Sequence, residues 1–220
     1  MANDNWQITN DKSFPDGGAQ GQSHKNLSFV IFHLSSAICF APFYPTQAMN
    51  IRQQLLKRNS RANADIVIAH VASTPKAIVE LMACFLSDEV TVAQRAAQVV
   101  GDIGRKNPEM LEPWWSEMVE AAKKPVHDAI QRNVCRYFSE LDLTLPTKLE
   151  TSLITLLTDW TCEPTTPVAI QVYAMQFVAN RAECFPNEAE RVKAAILSQF
   201  DTATAGFRSR GKRVLKQLEH

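Results

Sequence analysis

Residues 88–104 read DEVTVAQRAAQVVGDIG, and the spacing inside them decides the fold. Val92, Ala96, Val99, Val100 and Ile103 recur at helical intervals, so one side of a helix is apolar. Ala96, Ala97 and Gly101 are small, which lets a neighbouring helix approach closely. The pattern returns three times along the chain. VAQRAAQVV, DAIQRNVCRYF, VAIQVYAMQFV and GFRSRGKRVL superpose on Arg95, Arg132, Val172 and Arg210, at intervals of 37, 40 and 38 residues. A second, shorter helix is expected after each of them. A period near forty made of helix pairs predicts an α-solenoid, because one pair cannot bury its own apolar side and stacking completes the core. No stretch alternates with a period of two, so the fold class is all-α, with about four helix pairs.

Start signals punctuate these segments. Ser60 is placed to cap a helix running through Ala72. Thr74-Pro75 reads as an N-cap followed by proline at the first helical position, where the missing N–H costs nothing. The same reading applies at Asn107-Pro108, Glu112-Pro113, Leu145-Pro146, Thr166-Pro167 and Phe185-Pro186. Between them, Val126, Ile130, Val134, Tyr137, Phe138 and Leu141 form one apolar stripe, and Phe207, Gly211, Val214, Leu215 and Leu218 another. The helical domain is expected over 49–220. Residues 1–26 are polar and rich in turn formers, which predicts disorder, and NLSFVIFHLSSAICFAPFYP is apolar but interrupted by His33, Ser35 and Ser36. It is a poor membrane span, and the polar residues ahead of it do not suit a secretory signal. Residues 1–48 are therefore expected to be a poorly ordered or non-native leader that adds little to the stability of 49–220.

Lys plus Arg equals Asp plus Glu at 23 each, so any polyanionic partner needs a local patch. The cysteines Cys39, Cys84, Cys135, Cys162 and Cys184 are odd in number and widely spaced, and read as reduced core residues of a cytoplasmic protein. His70 and His127 lack a second ligand at helical spacing, so no metal site is expected. No Ser/His/Asp or Cys/His constellation, phosphate loop or dinucleotide fingerprint is present, so neither catalysis nor a cofactor is called for.

The acidic turn of 88–89, the Arg95 ahead of paired alanines and the Gly101-Asp102-Ile103-Gly104 ending resemble the second helix of a HEAT repeat. The span from MNIRQQLLKRNSRANA to GFRSRGKRVLKQL is similar to a group of short bacterial HEAT-like proteins, some of which carry the name adenylosuccinate lyase. The resemblance implies a right-handed α-α superhelix that binds a protein or peptide on its curved surface, as a monomeric scaffold or adaptor without chemistry. The lyase name does not fit the residues, because the chain lacks the lyases' serine loop and its histidine partners.

The resemblance also implies roles for particular residues. Arg95 and Arg132 occupy the position where HEAT proteins bond an arginine to an acidic residue of the turn, so Asp88 or Glu89 and Asp128 are the expected partners. These residues either fix the stacking or share in partner binding. Trp115 aligns with Met118, Val119 and Ala122 and reads as core, whereas Trp114 points about 100° away and is a candidate contact for a base or a peptide. Asp159-Trp160 invites comparison with HEAT-like alkylpurine DNA glycosylases and supports the alternative of a nucleic-acid-binding relative of them. Arg208, Arg210, Lys212, Arg213 and Lys216 crowd the last helix. They form either the polar outer side of a terminal repeat or a weak polyanion site.

Overall fold

The computed structural model describes residues 49–219, which fold into ten α-helices with no strand among them. The expectations for residues 1–48 fall outside the described residues. The helices are α1 (Ile51–Lys57), α2 (Arg61–Ser73), α3 (Ala77–Phe85), α4 (Val90–Lys106), α5 (Trp115–Lys123), α6 (Asp128–Glu140), α7 (Thr147–Cys162), α8 (Val168–Ala179), α9 (Pro186–Gln199) and α10 (Ala205–Gln217). Two short 3-10 turns, Pro108–Met110 and Glu112–Trp114, lead into α5.

Packing assigns the helices to two layers. The even-numbered helices form one, in which α2 lies against α4, α4 against α6, α6 against α8 and α8 against α10. In the other layer α1 packs on α3, α5 on α7 and α7 on α9. Each even helix also rests on the odd helix before it, as α4 does on α3 and α8 on α7. The repeat is thus an odd helix followed by an even one, and five such pairs lie within the described residues. This corrects two expectations. The superposed segments close their pairs instead of opening them, and the helices after α6 and α8 are longer than they are, with 16 and 14 residues against 13 and 12. The first pair escaped detection because the seven residues of α1 are too few to show a period.

Local chemistry accounts for the helix starts. Ser60 Oγ accepts the Asn63 N–H at 3.3 Å, Asn50 Oδ1 accepts that of Gln53 at 2.8 Å, and Thr204 caps α10 through Phe207. Pro186 stands in the first turn of α9 and Pro108 and Pro113 in those of the 3-10 turns. Pro146 and Pro167 instead occupy the N-cap itself, with extended ψ of 136° and 132°, and α3 begins two residues beyond Pro75. A proline tolerates both places, since neither needs its N–H.

The stripes read from the sequence are the core. Val92, Ala96, Val99, Val100 and Ile103 are all buried, as are Ile130, Val134, Tyr137 and Phe138. Val126 departs from its stripe. It lies before α6 begins and is 38 % exposed. A Cβ on Gly104 would stand 2.4 Å from Leu111 Cδ1 and 2.7 Å from the Tyr137 ring, so α4 and α6 can approach this closely only over a glycine. Trp115 Nε1 donates to the Tyr137 hydroxyl at 2.9 Å, and that hydroxyl donates to the Pro108 carbonyl at 3.1 Å. These bonds satisfy the polar atoms that the aromatic cluster buries. Cys84 and Cys135 are buried as expected, whereas Cys162 is half-buried and Cys184 is exposed in the turn after α8, outside the helical stripe that would have buried it.

Candidate partner-binding surface

Charge is not spread evenly over the two layers. The even helices carry eleven Arg and Lys against four Asp and Glu, the odd helices six against seven, and the described residues outside the α-helices four against nine. A chain with no net charge therefore holds a basic layer, and its cations fall into two groups.

The first group is consumed by stacking. Asp102 of α4 accepts from Arg61 of α2 at 2.7 Å and also binds Arg105 one turn on. Arg105 leans toward Glu140 of α6 at 3.7 Å, Glu140 accepts from Arg136 at 2.9 Å, and Arg136 stands 5.8 Å from the ring centre of Tyr173 in α8. Alternating charges thus link three even helices in succession, α2, α4 and α6, and the last of these cations faces an aromatic ring of the fourth. The Arg61 guanidinium is held above its usual range, first by its hydrogen bond to Asp65 and then by the Asp102 charge. Within the next pair, Arg181, in the turn after α8, is nearly buried, donates to Glu150 of α7 at 2.9 Å and lies 4.0 Å from the ring centre of Phe177 in α8.

None of these is the arginine that the sequence singled out. Arg95 does not reach Asp88 or Glu89. Its Nη1 donates to the Leu55 carbonyl at 2.7 Å, closing one of the acceptors left open at the end of α1, while Glu89 is taken by Arg52 at 2.9 and 2.8 Å. Arg132 is exposed and has no ion-pair partner among the described residues, and Asp128, one turn back, has none either. For Arg95 the expected bonding to the acidic turn fails because α1, in the preceding pair, offers Arg95 a carbonyl and Glu89 a guanidinium.

The second group is free. On α10, Phe207, Gly211 and Val214 are buried and Leu215 and Leu218 half-buried, so the predicted stripe holds. Arg210 donates to Gln176 Oε1 of α8 at 2.9 Å, and Lys212 stands 6.0 Å from the Phe200 ring centre. Arg208, Arg213 and Lys216 are exposed without ion pairs among the described residues, and Lys106 and Arg132 are the corresponding cations on α4 and α6. Trp114 is half-buried and leans on the core from the odd layer, beside the 7 % exposed Trp115, and does not join this surface. Asp159 and Trp160 also belong to the odd layer, where Asp159 is engaged by Arg191 of α9 at 3.0 Å. The carboxylate that suggested a glycosylase is thus occupied by a stacking contact.

Paired helices in two layers, each pair leaning on the next, define an α-α solenoid of the repeat class. The family model of the HEAT repeat domain matches residues 51–218, and the chain belongs to that family. No curated protein and no solved structure matches it. HEAT repeats serve generally as protein-interaction scaffolds. No helix among the described residues is long and apolar enough to cross a membrane.

Proposed function

We propose that the protein is a monomeric, cytoplasmic scaffold or adaptor, without catalysis, that binds an acidic segment of a protein or peptide on the even-helix layer. The observation that carries this reading is the division among the arginines. Arg61, Arg105, Arg136 and Arg181 are spent on contacts between packed helices, whereas Arg132, Arg208 and Arg213 are exposed and no carboxylate among the described residues pairs with them. Unpaired cations on one helix layer raise the local concentration of an anionic partner and orient it.

The test is capture of partners from the native host by the tagged protein, beside a variant with Arg132→Glu, Arg208→Glu and Arg213→Glu. A stoichiometric acidic partner lost with the variant supports the reading. Partners retained equally by both proteins overturn it. The same surplus supports nucleic acid as the second reading, and a steeply salt-dependent shift of duplex DNA would favour it. Release of fumarate from adenylosuccinate is not expected from the purified protein.

A further inference from the structure

A groove on the edge of the solenoid, where odd helices turn into even ones, is lined by none of the free cations of the even helices. The odd helices α5 and α7 meet, as do α7 and α9, but α3 and α5 fall short of such packing. The space between them is a groove of about 340 Å³. Its floor is Phe85 and Ile130, 1 % and 2 % exposed, and its walls include Leu86 and Val126, left 39 % and 38 % exposed. A volume near the small end of ligand pockets suits one large apolar side chain. The rim is acidic. Asp88 and Glu117 have no ion-pair partner among the described residues, Glu120 is held by Lys123 at 2.6 Å, and Lys124 is the one cation lining the groove.

We propose that this groove docks a short linear segment of a partner protein, in which one bulky apolar residue is flanked by Lys or Arg. An apolar floor inside a charged rim is the arrangement of an interface anchor pocket: the buried side chain supplies affinity and the rim charges select the partner. The two unpaired carboxylates fix the sign, because they repel an acidic segment and attract a basic one. This segment is opposite in charge to the one proposed for the even-helix layer, so the protein holds two docking surfaces that do not compete for one ligand.

The experiment uses the full chain and a fluorescein-labelled peptide with one Trp between two Arg-Lys pairs, spaced by Gly and Ser. Fluorescence anisotropy should show saturable binding. Ala121→Arg, which plugs the groove, should weaken it at least about tenfold, as should replacing the peptide's Trp by Ser. The pair Asp88→Lys and Glu117→Lys, both at exposed positions without partners, should do the same, and circular dichroism checks that each variant is folded. Arg132→Glu with Arg213→Glu should leave the affinity within about twofold, which separates this site from the even-helix reading. Absence of saturable binding overturns the proposal, and so does an affinity that ignores the Asp88 and Glu117 changes. A concentration-dependent dimer abolished by Ala121→Arg also overturns it, by giving the groove to a second copy of the chain.

Discussion

The helices α4 and α10 occupy the same place in their repeats, with Arg95 and Arg210 in register, yet they meet opposite surroundings. Ten of the 17 residues of α4 are buried, and three of the 13 of α10. The difference lies in neighbours: α4 has α2 on one side, α6 on the other and α3 beneath, whereas among the described residues α10 packs against α8 and α9. A helix with neighbours on every side can spend its surface on alanines and glycines that draw the neighbours in. On α10, which no described helix covers on its far side, the exposed positions carry charge instead. The arginines follow the same division, into those held between packed helices and those that face water.

The largest expected effect contrasts Arg181 with Arg213. Arg181→Met leaves Glu150 without its partner in a partly buried site and removes the contact with Phe177. The expected loss is about 3 kcal/mol, at the low end for a broken buried pair, because Glu150 keeps 26 % of its side-chain exposure. Arg213→Met should change stability by less than about 0.5 kcal/mol. Urea denaturation of both variants checks this, and equal losses would break the division between interior and terminal arginines.

The next effect contrasts two glycines. Gly104→Ala places a Cβ against Leu111 and the Tyr137 ring, and that ring is pinned by its bonds to Trp115 and Pro108. Overpacking costs about 1–3 kcal/mol, and the gain in helix propensity returns up to about 1, so a net loss is expected. At Gly211 the nearest obstacle is a single methyl, Ile196 Cγ2 at 2.9 Å, on a terminal pair with fewer neighbours to resist a shift. Gly211→Ala should lie within about 1 kcal/mol of zero. Melting temperatures of the two variants give the comparison.

Smaller still is the effect of the thiols. Burial pushes the Cys84 thiol from its ordinary 9.0 up to about 11, and pushes Cys135 up as well, whereas Cys184 is exposed. At pH 8 a disulfide reagent should modify Cys184 quickly and reach Cys84 and Cys135 only on unfolding. The sign of the pH dependence follows. Between about pH 9 and 11 the unfolded chain releases the Cys84 proton and the folded chain retains it, so the unfolded state gains and stability falls. Cys84→Ala should flatten that part of the stability profile.

Periodicity made the even helices legible in the sequence, because Val92, Ile103, Val134, Phe138, Phe207 and Val214 mark a buried face that stacking cannot move. The partners of the arginines were not legible. A guanidinium reaches across a helix junction, and whether Arg95 finds the Glu89 carboxylate or the Leu55 carbonyl depends on where α1 ends. One signal was available: Arg61 and Asp102 are 41 residues apart, close to the repeat period, with Arg105 one turn beyond. The edge groove was hidden for a different reason. Val126 fits the helical stripe by spacing, but His127 caps α6 by accepting the Ala129 N–H at 3.0 Å, so the helix starts too late to bury Val126.

The smallest expected effect tests whether α10 grips a polyanion. Of its five cations, Arg210 is bonded to Gln176 and Lys212 is drawn over Phe200. Arg208, Arg213 and Lys216 remain. At about 100° per residue, Arg208 and Arg213 point about 140° apart around the helix, so a rigid duplex can meet one of them, with Lys216, at a time. Two phosphate contacts at about −0.9 each give a log–log salt slope shallower than about −2, with weak binding at low salt. Titrating labelled duplex DNA between low and physiological salt measures that slope. A slope steeper than about −3 would require more contacts than α10 has free on one side. If it flattened when Arg208, Arg210 and Arg213 were changed to Glu in a folded protein, α10 would be a binding surface and its crowd of cations would answer to a ligand.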